Sequence, residues 1–354
     1  MLARRFGNVA AHLGTKVDDG LVERLLAGLL RADRACLAEA ITLIETSNLT
    51  KQRAAQQLLA AVLSLEKERI AQHGKAALSF RIGISGPPGA GKSTFLDSIG
   101  SHVTENGHKV GCLTVDPSSR ITGGSLLGDK TRMPNLSKNP RAFIRPSPTS
   151  GILGGVTRTT SEAILLLEAA GFDIVFVETV GSGQNEYVVA DMVDMFVLVI
   201  PPSGGDELQA VKRGIMELSH LVLVNKADGD LIAAARRTQA EYISALKFMT
   251  PESSSWTSKV QRISSVKGEG VRESWLTMLK FRDASLSSDE FTKRRAQQNS
   301  LRMWRMVDEH LRSAFHADPE IVRLRHEVEK DVQQGRITPL AGALSLIDSY
   351  NRKR

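Results

Sequence analysis

The chain has 354 residues, of which 42% are hydrophobic and 24% charged, and its formal net charge is +7. Such values fit a globular protein built as one large domain with extensions, or as two domains. Basic residues are interleaved with acidic ones and aromatics reach only 5%, which argues for a solvated basic surface and against a nucleic-acid track; two isolated cysteines, Cys36 and Cys112, provide neither a disulfide framework nor a cysteine zinc site; and no run of about 18 apolar residues is available to span a membrane.

The first seventeen residues contain Arg4, Arg5 and Lys16 but no acid. Such a start has the character of a mitochondrial transit peptide, which would send the chain to the mitochondrial matrix; an ordinary N-terminus would leave it cytoplasmic. Residues 18 to about 75 read as helices. Asp18 and Asp19 can cap the first, which carries Leu21, Leu25, Leu26, Leu29 and Leu30 on one face. Leu37, Ile41, Leu43 and Ile44 mark a second, ending near Ser47-Asn48, and a third runs from about Thr50 with Leu58, Leu59, Val62, Leu63 and Leu65. Residues 1–77 are therefore expected to be an N-terminal helical extension, with 1–17 as a candidate targeting segment.

Between 78 and 285, strand-like runs at 80–85, 109–115, 141–145, 173–178, 195–200, 220–224 and 260–264 alternate with helical patterns. Alternation of this kind predicts an α/β domain, a mostly parallel sheet flanked by helices, with ligands bound beyond the carboxyl ends of the strands. The first run leads into Gly86-Pro87-Pro88-Gly89-Ala90-Gly91-Lys92-Ser93-Thr94, a complete G-x-x-x-x-G-K-[ST] phosphate-binding loop, so the class is a P-loop NTPase. Its glycines let backbone N–H groups curl around phosphate oxygens, Lys92 can reach the outer phosphates, and the Ser93 hydroxyl can sit on Mg²⁺. The following helix adds its N-terminal partial charge.

Two acids end later strands: Asp116 in Val115-Asp116-Pro117 and Glu178 in Val177-Glu178-Thr179-Val180-Gly181. Glu178 is expected to hold Mg²⁺ directly or through water, Asp116 is a second candidate for the metal shell, and the Gly181 N–H can reach a γ-phosphate. Three segments are pliable enough to act as switches. The first, 120–133, carries Arg120, Asp129, Lys130 and Arg132; the second follows Gly181 and includes Gln184; the third is 201–207, followed by Lys212. Gln184 lies three residues past Gly181 rather than next to it, so the attacking water is not assigned to it. The candidate catalytic residues are Lys92, Asp129, Gln184 and Lys212. No histidine or serine nucleophile pattern is present, so hydrolysis would rest on positioning, Mg²⁺ and Lys92, and the isolated protein should be slow.

The nucleotide is read from Asn225-Lys226-Ala227-Asp228, an N-K-x-D element after the run at 220–224. Guanine presents two adjacent donors, N1–H and the 2-amino group, and the Asp228 carboxylate can accept both; adenine has an acceptor at N1 and lacks that amine. The Lys226 stem can cover the base face and Asn225 can brace neighbouring loops. Ser264, Ser265 and Val266 follow the last strand-like run and resemble the loop that offers backbone N–H to the guanine oxygen. GTP/GDP with Mg²⁺ is the expected ligand set.

Residues 286–354 turn helical again. Leu301, Trp304, Val307, Leu311 and Phe315 form an apolar stripe, Asp318-Pro319 breaks it, a helix covers about 320–334, and Thr338-Pro339 supplies the cap and first position of a last helix. Such an arm either packs on the core or pairs with a second copy.

With these residues assembled, the chain resembles the methylmalonic aciduria type A protein family, which includes bacterial relatives. The resemblance covers nearly the whole chain. It is carried by the phosphate loop, by Val115–Ser119, by Leu127-Gly128-Asp129-Lys130-Thr131-Arg132-Met133, by Glu178-Thr179-Val180-Gly181 with Gln184, by Gly204-Gly205-Asp206-Glu207 and by Asn225–Asp228. It implies a GTPase domain flanked by helical extensions and a homodimer through the C-terminal arm. It further implies a partner, adenosylcobalamin-dependent methylmalonyl-CoA mutase, whose cofactor loading, protection and reactivation are gated by GTP. Asp116, Asp129 and Glu178 would be the family's acids near Mg²⁺, and Lys212 would lie in its third switch. Two positions depart from the pattern: Ser264-Ser265-Val266 replaces the usual S-A-R, and Asn185 stands where serine is common. The alternative, a metal-delivery GTPase for nickel or zinc, would carry histidine tracts or paired cysteines, whereas this chain has eight scattered histidines and two isolated cysteines.

Overall fold

The computed structural model describes residues 19–46, 48–116, 132–148, 153–179, 186–202, 213–249 and 253–352. Seven strands form one sheet: β1 Phe80–Ser85, β2 Val110–Asp116, β3 Ala142–Pro148, β4 Ile174–Thr179, β5 Met195–Ile200, β6 Leu221–Val224 and β7 Lys259–Arg262. Every pairing is parallel and the order is β3-β2-β4-β1-β5-β6-β7. β1, β4 and β5 are buried at each residue, as a parallel sheet covered on both faces requires.

The helices in chain order are α1 Asp19–Leu30, α2 Arg34–Ile44, α3 Leu49–His73, α4 Lys92–Glu105, α5 Pro134–Lys138, α6 Leu153–Ala169, α7 Glu186–Ala190, α8 Arg213–Glu217, α9 Ile232–Leu246, α10 Val271–Ser287, α11 Glu290–Ala317, α12 Pro319–Gln333 and α13 Pro339–Asn351. Strand alternation sorts the core into two layers. On β4, Val175 and Val177 join Ile164 of α6, Tyr242 of α9 and the N-terminal residues Leu25, Leu37 and Leu58. Ile174 and Phe176 join Phe95 and Leu96 of α4, Trp275 and Phe281 of α10, and Phe291. The N-terminal helices thus extend the core on one face of the sheet.

The third strand runs further than the expected 141–145, through Pro146 and Pro148. Proline cannot donate to a ladder, and β3 tolerates it because it lies at the sheet edge with β2 as its one neighbour.

A buried ionic cluster closes the end of β1 opposite the phosphate loop. Arg81 donates to both Glu168 oxygens at 2.6 and 2.7 Å, and Arg295 donates to both Asp194 oxygens at 2.7 Å. Arg295 also donates to the Ser79 carbonyl at 2.8 Å, and the Arg81 amide to Asp194 at 2.8 Å. The cluster ties β1, α6, the start of β5 and the start of α11 together.

The chain divides into two compact units, Met1–Gln298 and Asn299–Arg354. Within the second, Asp318 caps α12 through the Glu320 amide at 2.9 Å and Thr338 caps α13 through the Ala341 amide at 3.2 Å. α12 and α13 approach so closely that a Cβ on Gly342 would lie 2.9 Å from a Val332 methyl. Leu301, Trp304, Leu311, Leu340 and Leu344 of this unit are each at least half exposed, between 50% and 68%.

Candidate functional site

β1 ends in the middle of the sheet, between β4 and β5, and the phosphate loop turns there into α4. Sterics specify this turn. Gly86 has φ +148°, and a Cβ on it would lie 1.9 Å from the Val199 carbonyl oxygen of β5. Gly91, at φ +87°, caps α4 and would drive a Cβ to 2.5 Å from Asn225 Nδ2. Only glycine fits both demands at these positions. The first N–H groups of α4 have no partner within the helix, and an anion in the loop would satisfy them.

Lys92 folds back over the loop and donates from Nζ to the carbonyls of Gly86 at 2.8 Å and Pro87 at 3.1 Å. Burial holds its ammonium below the usual lysine range, although Glu178 and Glu186 pull it upward. A phosphate beside Lys92 would supply the counter-charge that burial makes valuable.

Ser93 Oγ donates to Glu178 Oε1 at 2.8 Å, and Thr179 Oγ1 donates to Ser85 Oγ at 3.0 Å. Glu178 is 7% exposed. A hydroxyl from the first turn of α4 and a carboxylate from β4 therefore converge beside the phosphate loop, the hard-oxygen chemistry that Mg²⁺ prefers. Ser93 and Glu178 fit that ion. The backbone of Asp116 ends β2, next to β4; its side chain, and all of Asp129, lie outside the described residues.

The base end is assembled from β6 and β7. Asn225 is 2% exposed. Its Nδ2 donates to the Ala90 carbonyl at 2.9 Å and, more loosely, to that of Gly91 at 3.4 Å. Its Oδ1 accepts from the Ser265 amide at 3.1 Å and the Ser265 hydroxyl at 2.8 Å. The Ser264 hydroxyl donates to Asp228. The phosphate loop after β1, the N-K-x-D element after β6 and the serine loop after β7 thus form one braced assembly, with Asn225 at its centre. Lys226 is exposed and sits at φ +57°.

A cleft of about 580 Å³ joins Pro88, Gly89, Gly91, Lys92, Ser93 and Thr94 to Thr114, Arg132, Glu178, Thr179 and Lys226. Three cations and one carboxylate in this lining suit a polyphosphate accompanied by a divalent ion. Ser265 and Val266 line an adjoining groove that shares Thr94 with the cleft, and the Val266 side chain is 84% exposed. Gly181, Gln184 and Lys212 lie outside the described residues.

The chain matches the family model of the methylmalonyl-CoA mutase-associated GTPase MeaB over residues 37–320. It belongs to the MeaB family. Membership makes it a GTPase, a hydrolase acting on GTP. Among its relatives is the mouse protein named methylmalonic aciduria type A homolog, mitochondrial, 51% identical over 336 residues, which are 95% of this chain and 81% of that one. The Caenorhabditis elegans protein of the same name is 48% identical over 334 residues, 94% of this chain and 84% of that one. Among solved structures, a crystal structure described as LAO/AO transport system kinase has a TM-score of 0.73 and 29% identity, covering 95% of this chain and 100% of that one.

Three features of this MeaB-family site were not assigned from sequence. Thr114, two residues before Asp116, lines the cleft; strand alternation puts both on one face of β2 and could have flagged it. Arg132 reads from sequence as a charged member of the first pliable segment, and the fold brings it to the phosphate end. The bond from the Ser265 hydroxyl to Asn225 is not readable from the sequence, because its partner sits in the loop after β6, 40 residues away.

Proposed function

We propose that this MeaB-family GTPase gates adenosylcobalamin loading onto methylmalonyl-CoA mutase, and the protection and reactivation of that enzyme, through its nucleotide state. The observation that carries this reading is the match to a mutase-associated GTPase family across 37–320, around a phosphate loop braced by Asn225 to the N-K-x-D element. In this reading Asp228 accepts N1–H and the 2-amino group of guanine, the Ser265 amide donates to the 6-oxygen, and the Lys226 stem covers the base face. Lys92 and the amides of 86–94 grip the phosphates. Ser93 and Glu178, with Asp116 and Asp129, hold Mg²⁺, which when bound neutralises phosphate charge. Asp129, Gln184, Gly181 and Lys212 complete the apparatus. Turnover is slow in isolation and rises with the partner.

The C-terminal arm pairs two copies of the chain; the exposed Leu301, Trp304, Leu311 and Leu344 support this, since a lone arm would leave them in water. Trp304→Glu should convert a dimer to a monomer in sedimentation, and an unchanged mass would remove this element. The mitochondrial names of the mouse and nematode relatives support a place in the mitochondrial matrix.

The test is GTP turnover with and without purified methylmalonyl-CoA mutase, together with co-elution under GDP, a GTP analogue and no nucleotide. Stimulation of several-fold and a nucleotide-dependent complex are expected. No stimulation and no complex in any state would end the proposal.

A further inference from the structure

The Asn225 amide has two faces, and one serine supplies every donor that reaches its oxygen among the described residues. Ser265 gives both its backbone N–H at 3.1 Å and its hydroxyl at 2.8 Å to Asn225 Oδ1, while Asn225 Nδ2 holds the Ala90 and Gly91 carbonyls of the phosphate loop. Asn225 is 2% exposed and Ser265 7%, so water has little access to either. Gly91 leaves no slack: the space a Cβ would fill is taken by Asn225 Nδ2 at 2.5 Å.

This doubling matters when a base binds. Under the guanine reading given above, on which the inference rests, the Ser265 amide turns to the 6-oxygen of the base. Asn225 Oδ1 then loses one of its two donors. A buried carbonyl oxygen left without a donor is costly, and the penalty would pass through the same amide group to the phosphate loop. The usual S-A-R loop has no side-chain donor at this place; here a serine stands there.

We infer that the Ser265 hydroxyl is a positioning group, which keeps Asn225 satisfied and the phosphate loop in place while the Ser265 amide is handed to the 6-oxo group of guanine. It touches no reacting atom. Its contribution is conditional: the nucleotide-free protein has the amide bond to Asn225 in reserve, so the hydroxyl counts most when a 6-oxo purine is bound.

The experiment compares the full chain with Ser265→Ala by calorimetry, using GDP and 6-thio-GDP. The thio analogue keeps N1–H and the 2-amino group for Asp228 but offers a poor acceptor in place of the 6-oxygen. Ser265→Ala should weaken GDP about five- to tenfold and 6-thio-GDP less than about twofold, a lost buried hydrogen bond being worth that much. The midpoint of nucleotide-free unfolding should move by less than about 2 °C. Equal weakening of both ligands would mark a general structural role and overturn the inference, as would an unchanged GDP affinity. Should the unsubstituted chain bind ADP as tightly as GDP, the guanine reading fails and takes this inference with it; guanine selectivity with an indifferent Ser265→Ala removes the inference alone.

Discussion

Ser93 Oγ meets Glu178 Oε1 at 2.8 Å although the two residues stand 85 positions apart. Adjacent parallel strands make the meeting possible: Ile84 on β1 is in register with Glu178 on β4, so both chains release their next residues at the same end of the sheet. Glu178→Gln keeps size and removes charge. It should weaken Mg²⁺ binding about 10- to 100-fold and lower GTP turnover accordingly, with metal-free GDP binding preserved. Magnesium titration of turnover checks this; an unchanged magnesium midpoint would refute the assignment.

Asp228 offers two acceptors held in place by Ser264. Asn at this position offers one acceptor and one donor, which matches xanthine (N1–H beside a 2-oxo group) and not guanine. Asp228→Asn should therefore lose about 100-fold in GTP affinity and gain affinity for XTP. Competition binding with the two triphosphates reads both arms, and a variant that keeps its preference for GTP would contradict the base contact.

Gly86 and Gly89 both have positive φ but differ in surroundings. A Cβ on Gly86 would meet the Val199 carbonyl oxygen at 1.9 Å, whereas among the described residues nothing lies within 4 Å of one on Gly89. Gly89→Ala should cost about 1–2 kcal/mol, the strain of a left-handed alanine. Gly86→Ala must also displace β5 and should cost well over about 2 kcal/mol, with loss of nucleotide binding. Urea unfolding of the nucleotide-free variants should rank them in that order.

Burial alone would raise the Glu168 carboxyl, but Arg81 and Arg295 bring it down to about 2 from the ordinary 4.5. A carboxyl lowered by folding stabilises the fold above its unfolded value, and that contribution disappears as pH falls from about 4.5 through about 2. Glu168→Gln leaves Arg81 undercompensated and should cost about 3–5 kcal/mol at pH 7. The cost should shrink below pH 4.5, as the carboxyl of the unfolded chain takes up its proton while the native one stays ionised down to about 2. Denaturant midpoints at several pH values test this; an equal cost at pH 7 and pH 3 would exclude it.

Neighbouring residues alone dictated a good part of this molecule. Short apolar runs became β1, β4 and β5, the glycine pattern at 86–91 became the turn into α4, and Thr338-Pro339 became the start of α13, because each depends on contacts within a few positions. The nucleotide class was legible for the same reason: phosphate and guanine are recognised by compact motifs. Strand order was decided in three dimensions. It alone brings Ser93 to Glu178, Ser265 to Asn225, and Arg81 with Arg295 to their carboxylates. The passage of β3 through two prolines was settled there too, since an edge has no second neighbour to be denied a hydrogen bond. Such pairings are worth little in water and much when burial removes the competing solvent, so they exist only once the chain has packed.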